Sequence, residues 1–222
     1  MKNLIMIALS FILVPFGFVG NLIFGFGLIF EEILVTIGFM FLAFFTYLTF
    51  HHDYKPQFFI IIAVIVVLGI IHFILQMYVQ NVWIHDINKL IDIGFTFLCF
   101  SYLSYSAYAA YLRVKEYELK GWIILRYKLL SYSAFLLSFQ AIPELMMPYG
   151  VEYGTGNIGA IISFGITATL ALIFSICNII AWIMPQPIKN LLISESKVMS
   201  DKDLNEEEIM ETLRKEIDLG KK

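Results

Sequence analysis

The chain has 222 residues, of which 59% are hydrophobic, 16% aromatic and only 15% charged, with a formal net charge of −3. Soluble globular domains run at roughly 45–50% apolar and about 25% charged residues. The excess excludes an ordinary soluble enzyme, a disordered chain and a disulfide-rich scaffold, and the small negative charge gives no sign of nucleic-acid binding. A mean hydropathy of +0.80 points instead to a protein that crosses a membrane several times.

A span needs about 20 mostly apolar residues. Residues 4–30 are uncharged and make the first candidate. A signal peptide has an apolar region of about 7–15 residues and a small-residue cleavage site; this run is longer and lacks the site, so it reads as a span. Pro15, Gly17, Gly20, Gly25 and Gly27 fall inside it and mark either close helix packing or a local break. Glu31 and Glu32 then interrupt, and residues 33–50 form the second span. After His51, His52, Asp53 and Lys55 comes the third, at 58–79. The fourth covers 87–112, the fifth 122–147 and the sixth 157–184. Residues 1–187 thus read as one six-span transmembrane domain, an all-α bundle whose short loops favour antiparallel neighbours. Residues 188–222 form a polar tail.

Charge sets the expected orientation. Lys and Arg concentrate in cytoplasmic loops near span ends. With the N-terminus inside, Lys2, Lys55, Arg113, Lys115, Lys120, Arg126, Lys128 and Lys189 all fall inside, and Lys89 alone falls outside. Both termini are therefore expected to be cytoplasmic. Tyr47, Tyr54, Tyr111, Trp122, Tyr127 and Trp182 stand at inner ends, and Tyr78, Trp83, Tyr149 and Tyr153 at outer ends, as an interfacial belt. The expected location is the plasma membrane of a prokaryote, in contact with the lipid bilayer.

The tail is net acidic. Ile209, Met210, Leu213 and Ile217 share one face at helical spacing, and Glu211 faces Lys215 at i, i+4. This predicts a cytosolic amphipathic helix over 201–219. It is too short to be stable alone, so it is expected to pair with itself as a homodimer or with a cytosolic protein.

No catalytic or metal motif occurs: there is no C-x-x-C, H-E-x-x-H, P-loop or G-x-S-x-G. Cys99 and Cys177 lie inside spans and read as small apolar residues. The sequence names no cofactor and assigns no metal ligand. The informative residues are the polar ones at membrane depth, which tend to face a bundle interior and to mark function. Asn21, Glu31, Glu32, His72, Gln76, Asp92, Gln140 and Glu144 all fall in the outer half. Gln140 and Glu144 share a face at i, i+4, with Pro143 between them to open the helix. Together these eight are expected to line an outward-facing, net-acidic pocket for a cationic or protonatable small ligand. The competing reading is interhelical hydrogen bonding without a ligand. Tyr102, Tyr105 and Tyr108 in the fourth span read either as a polar track or as a packing face.

Two stretches carry a family resemblance. Trp182-Ile183-Met184-Pro185 with Ile188 and Lys189, and Arg126-Tyr127-Lys128-Leu129-Leu130, resemble the multi-pass membrane sensor modules that precede some prokaryotic, particularly archaeal, histidine kinases. The resemblance implies a sensor of a small ligand or of membrane state. No H-box or ATP-binding motif follows, and such modules often have more than six spans, so output would pass through the tail helix. A sensor or regulatory module is the first reading, a small transporter or transporter subunit the second, and a membrane-embedded redox or lipid-modifying enzyme the third.

Overall fold

The computed structural model describes residues 2–51, 56–78, 81–116, 121–151 and 156–189. Its six long helices are α1 (Lys2–Leu22), α2 (Leu28–Phe50), α3 (Pro56–Met77), α4 (Val82–Glu116), α5 (Gly121–Leu137) and α6 (Ile158–Ile183), and no strand occurs among the described residues. Each of the six is part of a stretch long and apolar enough to span a membrane. The chain is a multi-pass, all-α membrane protein. The expected tail helix at 201–219, with Ile209, Met210, Leu213 and Ile217, lies outside the described residues.

Large apolar side chains cover the outer surface of this bundle, as a lipid-facing surface requires. Ile12, Phe59, Ile60, Leu172 and Ile183 are all well exposed. Inside, α4 is the organising helix. It packs against α2, α3 and α5, whereas α1 leans on α2 and α6 on α5. Phe39, Leu42 and Phe45 of α2, Ile65 of α3, and Phe95, Cys99 and Leu103 of α4 form the shared core. At 35 residues and 1.5 Å per residue, α4 is about 50 Å long and overruns a hydrocarbon core of about 30 Å.

Hydroxyls tie the helices together where the backbones come close. Ser104 Oγ donates to the Ser131 carbonyl at 2.9 Å, and Ser131 Oγ donates back to the Ser104 carbonyl at 3.1 Å, clasping α4 to α5. Nearer the start of α5, Arg126 Nε donates to the Ala181 carbonyl of α6 at 2.8 Å, and the guanidinium lies within 6 Å of the Trp122 and Trp182 rings.

Two expected boundaries are corrected. The run at 4–30 is not one helix. The chain turns between Leu22 and Leu28, where Gly25 (φ +66°) and Gly27 (φ +91°) take left-handed values that a side chain would oppose. Glu31 and Glu32 consequently sit in the first turns of α2 rather than in a connection before it. Close packing of small residues also holds in this hairpin: a Cβ on Gly38 would come within 2.6 Å of Val14 Cγ2. The fifth helix stops at Leu137 rather than running to 147. The chain turns through residues 138–141 into a 3₁₀ segment, Ile142–Met146. Pro143 has no N–H, and in a continued helix its ring would strike the carbonyl four residues back. Ser138 Oγ completes the turn by donating to the Phe135 carbonyl at 2.6 Å.

Candidate functional site

The end of the bundle where α2, α4 and α6 begin collects the polar side chains. His72 projects from α3 into the seam with α2 and α4 and is buried. Its Nε2 hydrogen-bonds Glu32 Oε2 of α2 at 2.9 Å and lies 3.7 Å from Asp92 Oδ1 of α4. The imidazole lies nearly parallel to the Phe95 ring, 19° between planes and 6.4 Å between centroids. Thr96 Oγ1, one turn along α4, lies 3.4 Å from Asp92 Oδ1 as a donor. One turn further along α3, Gln76 Oε1 accepts from Asn88 Nδ2 of α4. The three helices are therefore joined by one polar network at this end of the bundle.

The sequence explains why these residues meet. His72 and Gln76 are four apart on α3, and Asn88, Asp92 and Thr96 are spaced by four on α4, so each set forms one row along a helix face. Antiparallel packing then lays the rows side by side. One imidazole is placed against two carboxylates, so the cluster changes net charge by one with each proton gained or lost. Asn88 also lies beside the His72 imidazole, which links the Gln76–Asn88 pair to the cluster.

The eight expected site residues do not surround one cavity. Glu32, His72, Asp92 and Gln76 come together as described. Asn21 Nδ2 donates to Glu31 Oε2, a bond that pins the α1–α2 turn. Gln140 lies in the turn after α5 and Glu144 in the 3₁₀ segment that contains Pro143, so the i, i+4 alignment expected of one continuous helix does not form. The Gln140 carbonyl accepts from Thr167 Oγ1 of α6 at 2.8 Å. Glu144 and Asp86 instead act electrostatically on Lys89, whose Nζ donates to the Met147 carbonyl.

Sequence reasoning passed over Asn88 and Thr96, whose spacing to Asp92 was the available signal. It also passed over His51, placed at a span end. His51 is buried, hydrogen-bonds Ser106 Oγ at 2.8 Å, and stacks on Phe58 at 3.5 Å and on Tyr102 at 5.5 Å. The tyrosine row divides as helical geometry requires: Tyr102 is in the core, while Tyr105 and Tyr108 face outward. Cys99 is buried, and its thiol contacts the Phe39 carbonyl at 3.3 Å. Among the described residues, no three His, Cys, Asp or Glu side chains are arranged to hold a metal ion.

Comparison with protein families, curated proteins and solved structures finds no match for this chain.

Proposed function

We propose that this protein is a membrane sensor or regulatory module, with the Glu32–His72–Asp92 cluster as its responsive element. The observation that carries the reading is one imidazole held between two carboxylates from three different spans. A proton, or a cationic or amine-bearing ligand, arriving at this cluster changes the attraction between α2, α3 and α4 together. Titratable side chains at membrane depth are costly and therefore tend to be retained for function. In this reading the cluster faces outward, both termini are cytoplasmic, and the tail carries the output to a partner.

The test uses the proton as probe. Deuterium uptake of α3 and of residues 190–222 is measured in mild detergent at pH 10 and pH 7.5, corrected for intrinsic exchange. The groups facing His72 are Glu32 from α2, Asp92 and Asn88 from α4, and Gln76 on its own helix. A charge gained by the imidazole between these values tightens the seam, so uptake in α3 is expected to fall at pH 7.5 and the tail to change with it. The His72→Gln variant should show neither change. Equal behaviour of the two proteins removes the reading.

A second reading, a small transporter, is favoured by one feature of α4. Asp92, Thr96, Cys99, Tyr102 and Ser106 are spaced by four, three, three and four, so they share a face. The row covers about 21 Å between the His72 cluster and His51, and Phe39, Phe95 and Leu103 close its middle. Proteoliposomes holding a pH-sensitive dye and a valinomycin-driven potential decide this reading. It requires proton flux that Asp92→Asn and Tyr102→Phe abolish. Flux no greater than in empty vesicles removes it.

A further inference from the structure

We infer that a second site, between the start of α4 and the 3₁₀ segment, binds the headgroup of an amine-bearing lipid. It is separate from the Glu32–His72–Asp92 cluster. A cavity of about 500 Å³ opens here, and its lining includes Asp86, Lys89, Leu90, Leu145, Met146 and Tyr149.

Charge selects the headgroup. Lys89 is already occupied, since its ammonium donates to the Met147 carbonyl and interacts with both Asp86 and Glu144. Among the described residues, two carboxylates stand against one ammonium in this corner, one negative charge in excess. An ammonium offsets that excess, and a primary one also has N–H groups to donate to a carboxylate, whereas a phosphate group alone adds to it. Asp86 is exposed in the cavity wall and is the natural partner for the incoming ammonium. His85 packs edge-on against Tyr149 of the cavity wall, with 5.4 Å between centroids.

Shape selects a lipid over a free amine. The remaining wall is apolar and open to the side, with Leu90, Leu145 and Met146 all more than half exposed. These side chains suit an acyl chain. Trp83, 81% exposed, is next to the cavity in sequence, and Tyr149 lines it. Tryptophan and tyrosine favour the headgroup level of a bilayer, which is where an ammonium head and an apolar tail part company. Pro143 creates the site by ending α5 early, because a continued helix would carry Leu145 and Met146 elsewhere.

The experiment is native mass spectrometry of the full chain in mild detergent, titrated with dioleoyl phosphatidylethanolamine, phosphatidylcholine or phosphatidylglycerol. Phosphatidylethanolamine is expected to bind about fivefold more tightly than phosphatidylcholine, whose quaternary ammonium carries the same charge but no N–H to donate, the scale of one exposed hydrogen bond, and phosphatidylglycerol most weakly. Asp86→Asn should erase the preference without shifting the melting temperature, because this side chain is exposed. Glu144→Gln should reduce it as well. Free ethanolamine at equal concentration should not displace the lipid. Equal binding of the ethanolamine and choline lipids overturns the proposal, as does a preference that survives Asp86→Asn. Tightest binding of phosphatidylglycerol would assign the site to a phosphate on Lys89 and overturn it too. Displacement by free ethanolamine would overturn the role of the lipid tail.

Discussion

Replacing His72 with leucine is expected to destabilise the protein by about 3 kcal/mol, the scale for breaking a buried ion pair by removing one partner. The imidazole Nε2 stands 2.9 Å from Glu32 and 3.7 Å from Asp92. Without it, two carboxylates face one seam between helices with no counter-charge. They respond by sharing protons, which limits the loss but leaves the α2–α3–α4 contact without its central bond. The informative comparison is the triple variant Glu32→Gln, His72→Leu, Asp92→Asn. Neutralising all three groups removes the uncompensated charge, so its stability should return to within about 1 kcal/mol of the parent. Thermal unfolding in mild detergent measures both. A neutral His72→Leu substitution, or a triple variant whose loss equals the sum of the single losses, would show that the three groups do not act as a unit.

The second large effect is steric. Gly159→Ala is expected to cost about 2 kcal/mol, the usual scale for overpacking. A Cβ at this position would stand 2.5 Å from the Met146 carbonyl oxygen and 3.3 Å from its carbon. These are backbone atoms of the 3₁₀ segment, so no side chain can swing aside. The first turn of α6 must lift away, and Asn157 would lose the bonds its Oδ1 accepts from Gly159 N–H at 2.8 Å and Ala160 N–H at 3.3 Å. Gly165, on the same helix, has nothing within 4 Å of an added Cβ. Gly165→Ala should therefore be neutral or slightly stabilising, since glycine inside a helix carries an entropic cost. The difference between the two melting temperatures isolates the close approach of α6 to the 3₁₀ segment from the general effect of adding a methyl group. Equal melting temperatures would show that this approach does not matter.

Much of the candidate site was legible residue by residue, but its grouping was not. His72, Gln76 and Asp92 stand out because polar side chains at membrane depth are rare and must find partners. Helical spacing then places His72 with Gln76. Which row on which neighbouring helix they meet depends on the rotation and depth of α3 and α4, and hydropathy carries no information about either. Gln140 and Glu144 show the opposite case. Their i, i+4 spacing aligns them only if the helix continues, and Pro143 ends it. The proline was visible, and its outcome was not, because a bundle can accept a kink at such a position as readily as a stop.

The sequence by itself determined that this is an all-α protein with six spans. That follows from the cost of leaving backbone hydrogen bonds unmade in lipid, which admits only helices for apolar runs of this length. It also determined which side chains carry polar chemistry at membrane depth. Tertiary structure alone decided that Glu32 and Asp92 share one histidine, that Glu31 serves the α1–α2 turn through Asn21, and that Glu144 belongs with Lys89 in a separate corner. Those partnerships span ten to more than fifty residues of chain. They are set by how helix faces pack, and packing in a bilayer is governed by the fit of small residues and hydroxyls rather than by the hydropathy that marks the spans.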